Sequence, residues 1–231
     1  MRILVIDVGG SHVKFRISGR RVHHSFNSGK KLTPDRMCRK VMALVSGCKF
    51  DGVSIGFPGP VLHGKPASDS ENLGSGWVDF DFERALGKKV KVINDAAMQA
   101  LGSYKGGRML FIGLGTGVGS ALILDDVIVP LELGELRYSK SRTISDILGK
   151  KALKSIGAAR WEKVVDELTS RLAASFRADY VVIGGGNAKR LKRLPRQARR
   201  GSNKLAFLGG ARLWGGGRLH AKSRKHTWIL T

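Results

Sequence analysis

Three apolar strands that each run into a glycine-rich turn constrain this 231-residue chain more than any other feature. The turns are Asp7-Val8-Gly9-Gly10-Ser11, Leu114-Gly115-Thr116-Gly117-Val118-Gly119 and Gly184-Gly185-Gly186-Asn187. Glycine lets main-chain N–H groups approach a phosphate closely and adopt positive φ. Three such turns therefore favour an α/β protein that binds a nucleotide or a polyphosphate, although each turn alone is a weak signal.

Two common phosphate-binding motifs do not account for these turns. The sequence contains no G-x-x-x-x-G-K-[ST] motif. The second turn does not fit G-x-G-x-x-G either, because Val118 and Ser120 stand where the last glycine belongs. A strand pattern, and not a helix, follows that turn. These observations argue against the P-loop and Rossmann folds.

The length of the chain allows one large domain or two small lobes around a cleft. Its apolar periodicity predicts alternating strands and helices. Thr33 followed by Pro34 marks the start of a helix. The predicted strands span 2–8, 13–17, 51–57, 89–93, 108–113, 120–124 and 180–183. The predicted helices span 33–46, 80–86, 94–102, 143–156, 159–176 and 205–214.

Asp95 stands where a predicted strand gives way to a helix. The carboxyl ends of strands in α/β proteins commonly carry ligand-binding groups, so Asp95 is a candidate catalytic residue. An ordinary N-cap aspartate would give the same pattern. The local sequence leaves both interpretations open.

The formal charge of +23 is concentrated near the C-terminus, where thirteen Lys or Arg and no acidic residue follow Val181. Such a field attracts nucleic acid, an anionic membrane or an inorganic phosphate polymer. The two cysteines, Cys38 and Cys48, cannot form a disulfide framework or a four-ligand zinc site. The apolar stretch 109–124 is too short to cross a bilayer, and the first residues do not resemble a signal peptide, so we expect a cytoplasmic protein.

Six segments, in order, resemble motifs of the ROK family of sugar kinases and repressors, and the polyphosphate glucokinase subgroup most closely. The resemblance runs from Ile3 to Trp214. The segments are Asp7–Ser11, Gly56–Pro60, Glu71–Leu73 with Trp77, Asn94–Ala96, Leu114–Gly119 and Val182–Asn187.

The resemblance implies an actin-like ATPase (ribonuclease H-like) fold, with two lobes around a central cleft. Residues 1–107 would form the N-terminal lobe and 108–214 the C-terminal lobe, whose last helix would pack back on the first. We expect the basic tail 215–231 to be disordered. The implied activity is phosphorylation of the 6-hydroxyl of glucose or a similar hexose by inorganic polyphosphate, ATP or both, in a homodimer.

The resemblance also assigns residues. Asp95 would be the catalytic base, and Asp7 would hold Mg²⁺ through water. The sugar would contact Asn72, Asn94, Asp95, Glu132 and Glu135. The transferred phosphate would face Asp7, Gly9, Gly10, Ser11, Lys14, Gly115, Thr116 and Gly117, and the adenosine or distal phosphates would face Gly184, Gly185, Gly186 and Asn187.

Two departures from the family pattern bear on these assignments. Where the family reads Glu-x-Gly-His, this chain has Glu132-Leu133-Gly134-Glu135, and the cysteine-rich zinc motif is missing. We therefore expect no zinc. Glu135 can accept hydrogen bonds from sugar hydroxyls as imidazole does, but it can equally change which sugar fits or indicate lost activity.

Basic residues follow the third glycine turn, where a donor tail would emerge: Lys189, Arg190, Lys192, Arg193, Arg196, Arg199 and Arg200. They would form a polyphosphate groove, or else only a solvated basic surface. An ATP-only ROK hexose kinase and a non-catalytic sugar-binding regulator are the alternatives, although the first motif at Asp7 leaves no room for the repressors' N-terminal helix-turn-helix. Nucleic acid would bind only non-specifically, because no reading module is recognisable, and we expect no membrane partner.

Overall fold

A computed structural model describes residues 1–125, 127–215 and 229–230 of the chain. The strands are β1 (Ile3–Val8), β2 (His12–Ile17), β3 (His24–Asn27), β4 (Gly52–Phe57), β5 (Val61–Leu62), β6 (Lys65–Pro66), β7 (Val90–Asn94), β8 (Met109–Leu114), β9 (Val118–Leu124), β10 (Val127–Leu131), β11 (Arg137–Ser139), β12 (Arg142–Thr143), β13 (Tyr180–Gly184), β14 (Ala198–Arg200) and β15 (Ile229–Leu230). The α-helices are α1 (Pro34–Leu44), α2 (Phe82–Leu86), α3 (Asp95–Ser103), α4 (Ile144–Leu148), α5 (Lys150–Ile156), α6 (Ala158–Ser175) and α7 (Leu205–Arg212). Two 3₁₀ turns span Leu133–Glu135 and Gly186–Arg190.

The first sheet has the order β3-β2-β1-β4-β7. Strand β1 is antiparallel to β2 and parallel to β4, and β4 is parallel to β7. Every residue of β1 and β4 is buried, as expected for central strands that are covered on both faces. Met37 and Val41 of α1 belong to the core on one of these faces. The first glycine turn therefore follows a strand that is buried along its whole length.

The second sheet has the order β14-β13-β8-β9-β10-β15. Strand β8 is parallel to β13 and antiparallel to β9, so the second and third glycine turns begin at the same end of neighbouring parallel strands. Trp161 and Val165 of α6 pack on one face of this sheet. A further core joins the two sheets around α3 and α7, with Val5 from the first sheet and Phe111 from the second.

Helix α7 reaches from the C-terminal half of the chain onto the first sheet. It approaches α3 so closely that a Cβ on Gly209 would lie 1.8 Å from the carbonyl oxygen of Met98. The Ser54 hydroxyl in β4 donates a hydrogen bond to the Gly210 carbonyl oxygen (2.6 Å), and Trp214 Nε1 donates to Ser54 Oγ (2.8 Å). These contacts fix α3, and with it Asp95, against the central strands.

Most predicted elements are confirmed, and Thr33 caps α1 as expected, its Oγ1 accepting from Arg36 N at 3.4 Å. The single helix predicted over 143–156 is wrong, because the structure divides it into α4 and α5. Gly149 separates them, and a Cβ there would lie 2.5 Å from the Thr116 carbonyl oxygen. The backbone of Gly149 is extended (φ −71°, ψ 175°), which interrupts the helix beside the second glycine turn.

Several short strands were not predicted. Strand β3 lies in a segment expected to be a basic loop, and β14 lies in the basic segment after the third turn. Most of the tail 215–231 lies outside the described residues, where disorder stays a prediction, but Ile229–Leu230 pair with Val127–Ile128 of β10. Among the helices of the described part, none is long and apolar enough to span a membrane.

Candidate active site

Asp95 is the first residue of α3, at the carboxyl end of β7. The helix is capped by its neighbour Asn94, whose Oδ1 accepts hydrogen bonds from the N–H groups of Ala96 (3.0 Å) and Ala97 (3.1 Å). Asn94 Nδ2 donates to the Gly59 carbonyl oxygen (3.1 Å), which ties the junction to the Pro-Gly turn. The ordinary N-cap role thus belongs to Asn94, and Asp95 Oδ1 accepts from Ala96 N (2.7 Å).

The surroundings of Asp95 hold its pKa near neutrality. The pKa of Asp95 is raised from 3.8 to about 7, chiefly by burial and also by the charges of Asp7 and Glu132. Burial likewise raises the pKa of Asp7 to about 6, while Lys14, directly opposite in β2, opposes the rise. A carboxylate with a pKa near the working pH is suited to general-base catalysis.

Glu132 precedes and Glu135 ends the 3₁₀ turn Leu133–Glu135, which we call the acceptor turn. Burial and the charge of Glu135 raise the pKa of Glu132, which in turn acts on Asp95. Ser120 Oγ holds the turn by accepting from Leu133 N (3.1 Å) and donating to the carbonyl oxygen of Leu131 (2.7 Å). The structure therefore brings Glu132 close enough to Asp95 for its charge to act there, while the exposed Glu135 acts on Glu132.

The first glycine turn is held closed by a residue that the sequence did not indicate. Gly9 N donates to the His12 carbonyl oxygen (3.0 Å). Ser28, after β3, donates from Oγ to the Gly9 carbonyl oxygen (2.5 Å) and from N to the Ser11 carbonyl oxygen (3.0 Å). In the described part of the chain nothing accepts from the N–H groups of Gly10 and Ser11, so both remain available to an anion.

The predicted sugar loop lies directly on this turn. A Cβ on Gly10 would lie 3.0 Å from Cβ of Asn72, which places the exposed Asn72 beside the phosphate-binding turn. Trp77 is fully buried, and its Nε1 donates to the Gly74 carbonyl oxygen (2.7 Å). Asp69, which sequence reasoning missed, accepts from Trp77 N (2.8 Å). Trp77 thus supports the loop from the core.

The second glycine turn has two backbone N–H groups that are bonded within the protein and two that are not. Gly115 N donates to the Gly117 carbonyl oxygen (3.0 Å), and Val118 N donates to Ser145 Oγ (3.1 Å). The N–H groups of Thr116 and Gly117 have no acceptor among the described residues. Two predicted phosphate-binding residues therefore offer free donors side by side.

The third glycine turn packs on the second. Asn187 Nδ2 donates to the Gly115 carbonyl oxygen (2.7 Å), which also accepts from Lys150 N (3.0 Å). Gly185 has a φ of 81°, and a Cβ there would lie 2.3 Å from the Leu114 carbonyl oxygen. The side chain of Asn187 thus supports the second turn, whereas the resemblance assigned it to the adenosine or distal phosphates.

The basic segment after the third turn divides into two groups. Two of its arginines are held by the protein: the Arg200 guanidinium donates to the carbonyl oxygens of Ala188 and Leu191, and that of Arg199 lies 4.6 Å from the centre of the Tyr180 ring. The other five side chains are exposed and form no ion pair within the described residues; they are Lys189, Arg190, Lys192, Arg193 and Arg196.

The described residues contain no group of three or more His, Cys, Asp or Glu arranged to hold a metal ion. A magnesium ion that shares its ligands with phosphate oxygens and water needs only one or two carboxylates. Asp7 is 9% exposed, its carboxylate accepts no hydrogen bond from a described group, and its pKa is raised. A nearby cation would relieve that unfavourable burial, so the Asp7 carboxylate fits the expected ion.

Comparisons with known proteins agree with this arrangement. No protein-family model matches the chain. A polyphosphate glucokinase of Mycobacterium tuberculosis (strain CDC 1551 / Oshkosh) is 24% identical over 209 residues, which span 80% of this chain and 77% of the relative. The structure of an inorganic polyphosphate/ATP-glucomannokinase from Arthrobacter sp. strain KM has a TM-score of 0.76 and 26% identity, covering 91% of this chain and 96% of that one.

A ROK family glucokinase from Streptomyces griseus, solved with glucose and AMPPNP, has a TM-score of 0.70 and 17% identity over 91% of this chain and 98% of its own. The fold is thus the actin-like ATPase fold of the ROK kinases, as the sequence predicted. In fold, in motif order and in its relatives, the chain is thus similar to the sugar kinases of the ROK family. Two of these relatives, at 24% and 26% identity, use polyphosphate according to their names.

Proposed function

We propose that this protein is a hexose kinase that transfers a phosphoryl group to the 6-hydroxyl of glucose or a similar sugar, with polyphosphate, ATP or both as donor. The observation that carries the proposal is the position of Asp95, a carboxylate with a pKa of about 7 that stands at the end of a strand beside two glycine turns. Polyphosphate glucokinase and polyphosphate/ATP-glucomannokinase relatives support the same activity.

In this mechanism Asp95 accepts the proton of the sugar hydroxyl as the oxygen attacks the donor phosphorus. Asn94 fixes the start of α3 and therefore the direction of the Asp95 carboxylate. Asn72, Glu132 and Glu135 would orient the remaining sugar hydroxyls as hydrogen-bond partners. Positioning and charge neutralisation, rather than covalent catalysis, dominate phosphoryl transfer, so this division of roles suffices.

The two glycine turns would hold the transferred phosphate from opposite lobes. The free N–H groups of Gly10 and Ser11 would bind it on one side, and those of Thr116 and Gly117 on the other. Lys14 would add positive charge beside Asp7. A magnesium ion held by Asp7 through water would neutralise charge on the phosphate oxygens. These N–H groups need no reorganisation, because hydrogen bonds to Ser28 and Ser145 already hold the turns in place.

The test is a coupled assay of sugar phosphate formation by the purified protein, with ATP and polyphosphate supplied separately over a panel of hexoses. We expect activity with glucose or a close relative, dependent on magnesium, with at least one donor. Absence of phosphorylation with every sugar and donor, together with retained sugar binding by calorimetry, would instead establish the non-catalytic alternative.

We further propose that the five exposed cations of the basic segment bind the distal part of a polyphosphate chain. They follow the third glycine turn, which contacts the turn that would hold the transferred phosphate. A long polyanion releases many counterions on binding, so its affinity falls steeply with salt, whereas that of ATP falls less. Equal salt slopes of KM for the two donors would contradict this groove.

A charge-removal variant sharpens this test. Replacing Lys189, Arg190, Lys192 and Arg193 by glutamine should raise the KM for polyphosphate and flatten its salt dependence, with little change for ATP. The matched control replaces four exposed cations of α5 and α6 by glutamine: Lys151, Lys154, Arg160 and Lys163. If both variants weaken polyphosphate equally, the effect is one of net charge and not of a groove.

Two further expectations belong to the proposal. The resemblance implies a homodimer in the cytoplasm, which light scattering after gel filtration and fractionation of cells would test. Non-specific nucleic-acid binding follows from the net charge of +23, and it should disappear from shift assays at moderate salt.

A further inference from the structure

The hydroxyl of Ser145 lies where three structural elements meet. Ser145 belongs to α4, and its Oγ accepts the Val118 N–H of the second glycine turn at 3.1 Å. A Cβ on Gly117 would lie 3.1 Å from the same oxygen. A Cβ on Gly134, in the acceptor turn, would lie only 2.5 Å from it. One oxygen atom therefore touches both the donor-binding turn and the acceptor turn.

The Ser145 hydroxyl is not needed to cap helix α4. Thr143 is the N-cap, and its Oγ1 accepts from Asp146 N (3.2 Å) while Asp146 Oδ2 accepts from Thr143 N (2.9 Å). This reciprocal capping box satisfies the helix start without Ser145. The bond from Val118 N to Ser145 Oγ is consequently a bond between elements, 27 residues apart in sequence.

The bond fixes the part of the second turn that would contact phosphate. Gly115 is held by the Lys150 and Asn187 bonds, and Val118 is held by Ser145, so both ends of the turn are anchored. Only Thr116 and Gly117 between them have free N–H groups. Loss of either anchor would let this peptide segment rotate and would change the direction of its donors.

The acceptor turn is anchored to the same place by packing. Gly134 lies between Ser145 Oγ and the Val118 carbonyl oxygen, each 2.5 Å from the position of a Cβ that glycine lacks. Glu132 and Glu135 stand on either side of Gly134. Ser145 therefore contributes, together with Ser120 and the Val118 backbone, to the spacing between the sugar-binding glutamates and the phosphate-binding N–H groups.

We propose that Ser145 is a positioning residue that fixes the donor-binding turn against the acceptor turn. The inference rests on the proposed kinase function and adds a residue that neither the motifs nor the resemblance assigned. In-line transfer requires the reacting oxygen and phosphorus to be aligned within a fraction of an ångström, and a misplacement of about 1 Å can cost about 100-fold in rate.

The experiment compares Ser145→Ala with Ser145→Thr, which keeps the hydroxyl. We expect Ser145→Ala to lower kcat by about 10- to 100-fold with each donor that the wild type uses, with the KM for sugar changed less than threefold. Ser145→Thr should recover most of kcat. Ser175→Ala, which removes an exposed hydroxyl that donates to the Arg171 carbonyl oxygen, is the matched control and should behave as wild type.

Gly134→Ala tests the same joint from the other side, because its Cβ must push the acceptor turn away from Ser145. Gly134→Ala should lower kcat although Ser145 is still present. If thermal denaturation shows that Ser145→Ala is poorly folded, Gly134→Ala becomes the test of the positioning role. A Ser145→Ala protein that keeps kcat within twofold, or a Gly134→Ala protein that does so, overturns the inference. An inactive wild type would count against the kinase function itself, which separates the two failures.

Discussion

Ionised Asp7 raises the pKa of Asp95, so the carboxylates at the ends of β1 and β7 act on each other across the first sheet. Gly56 in the intervening strand β4 leaves room for α3, since a Cβ there would lie 2.4 Å from Cε of Met98. Two buried like charges destabilise the fold, and such groups are concentrated at functional sites. Function and stability should therefore change in opposite directions when Asp95 is neutralised.

Asp95→Asn should reduce kcat for sugar phosphorylation by about 10²- to 10⁴-fold, the usual contribution of a general base. The amide keeps the size of the side chain but cannot take the proton. Steady-state assays with each active donor measure the loss. Asp166→Asn, at an exposed position in α6, is the matched control and should retain full activity. An Asp95→Asn enzyme with more than a few per cent of wild-type kcat would remove Asp95 from the role of base.

The same variant should be more stable than the wild type at neutral pH. The folded-state pKa of Asp95 is raised from 3.8 to about 7, so the unfolded chain ionises first as the pH rises. The stability associated with protonated Asp95 is fully present below about pH 4 and is lost by the time the pH passes 7. The difference in unfolding free energy between Asp95→Asn and wild type should grow from pH 4 to 7 and then level off in urea titrations. A constant difference over that range would contradict the raised pKa.

The pH dependence of kcat/KM should show an acidic limb with an apparent pKa of about 7, because only ionised Asp95 can accept the proton. Glu132 contributes to the raised pKa of Asp95, so Glu132→Gln should move this limb to lower pH. Rate profiles of both proteins, taken at subsaturating sugar, measure the shift. Exposed Glu167→Gln is the control, and a limb that stays in place in Glu132→Gln would show that the Glu132 charge does not reach the base.

Much of this site could be predicted from sequence because its residues follow apolar strands. Asp7, Asp95 and Gly115 each stand next to a run of buried residues whose periodicity reveals the strand, and the turn or helix signal after it marks the strand's end. The order of such motifs then indicates the family. Local sequence patterns were therefore sufficient to predict those site residues that lie at the end of a buried strand.

The residues that hold the site could not be found in this way. Ser28 and Ser145 form hydrogen bonds to glycine turns that lie 17 or more residues away in sequence. Asp69 forms a hydrogen bond to the backbone of Trp77, whose side chain is buried. Nothing in their neighbouring sequence marks the partner. Strands β3 and β14 were missed for a related reason: they are short, polar edge strands, and pairing rather than an apolar pattern defines them.

Asn187→Ala should weaken donor binding more than sugar binding. Its amide donates to the Gly115 carbonyl oxygen and so supports the turn that carries the free N–H groups of Thr116 and Gly117. One hydrogen bond is worth about 0.5–1.5 kcal/mol, which corresponds to a rise of about twofold to tenfold in the KM for the donor. Asn203→Ala, just before α7, serves as the control. A variant whose KM rises for sugar alone would assign Asn187 to the acceptor instead.

Gly209→Ala should destabilise the whole protein through the contact between α7 and α3. The added Cβ would lie 1.8 Å from the Met98 carbonyl oxygen, which belongs to the backbone and cannot rotate away as a side chain can. The helices must separate, at a cost of about 1–3 kcal/mol or more. Leu208→Ala, at the exposed neighbouring position, should cost much less. Because α3 begins at Asp95, we expect kcat of the surviving folded Gly209→Ala protein to fall as well. Denaturant titrations and assays at low temperature measure the two effects, and a variant as stable as Leu208→Ala would show that α7 does not hold α3 in place.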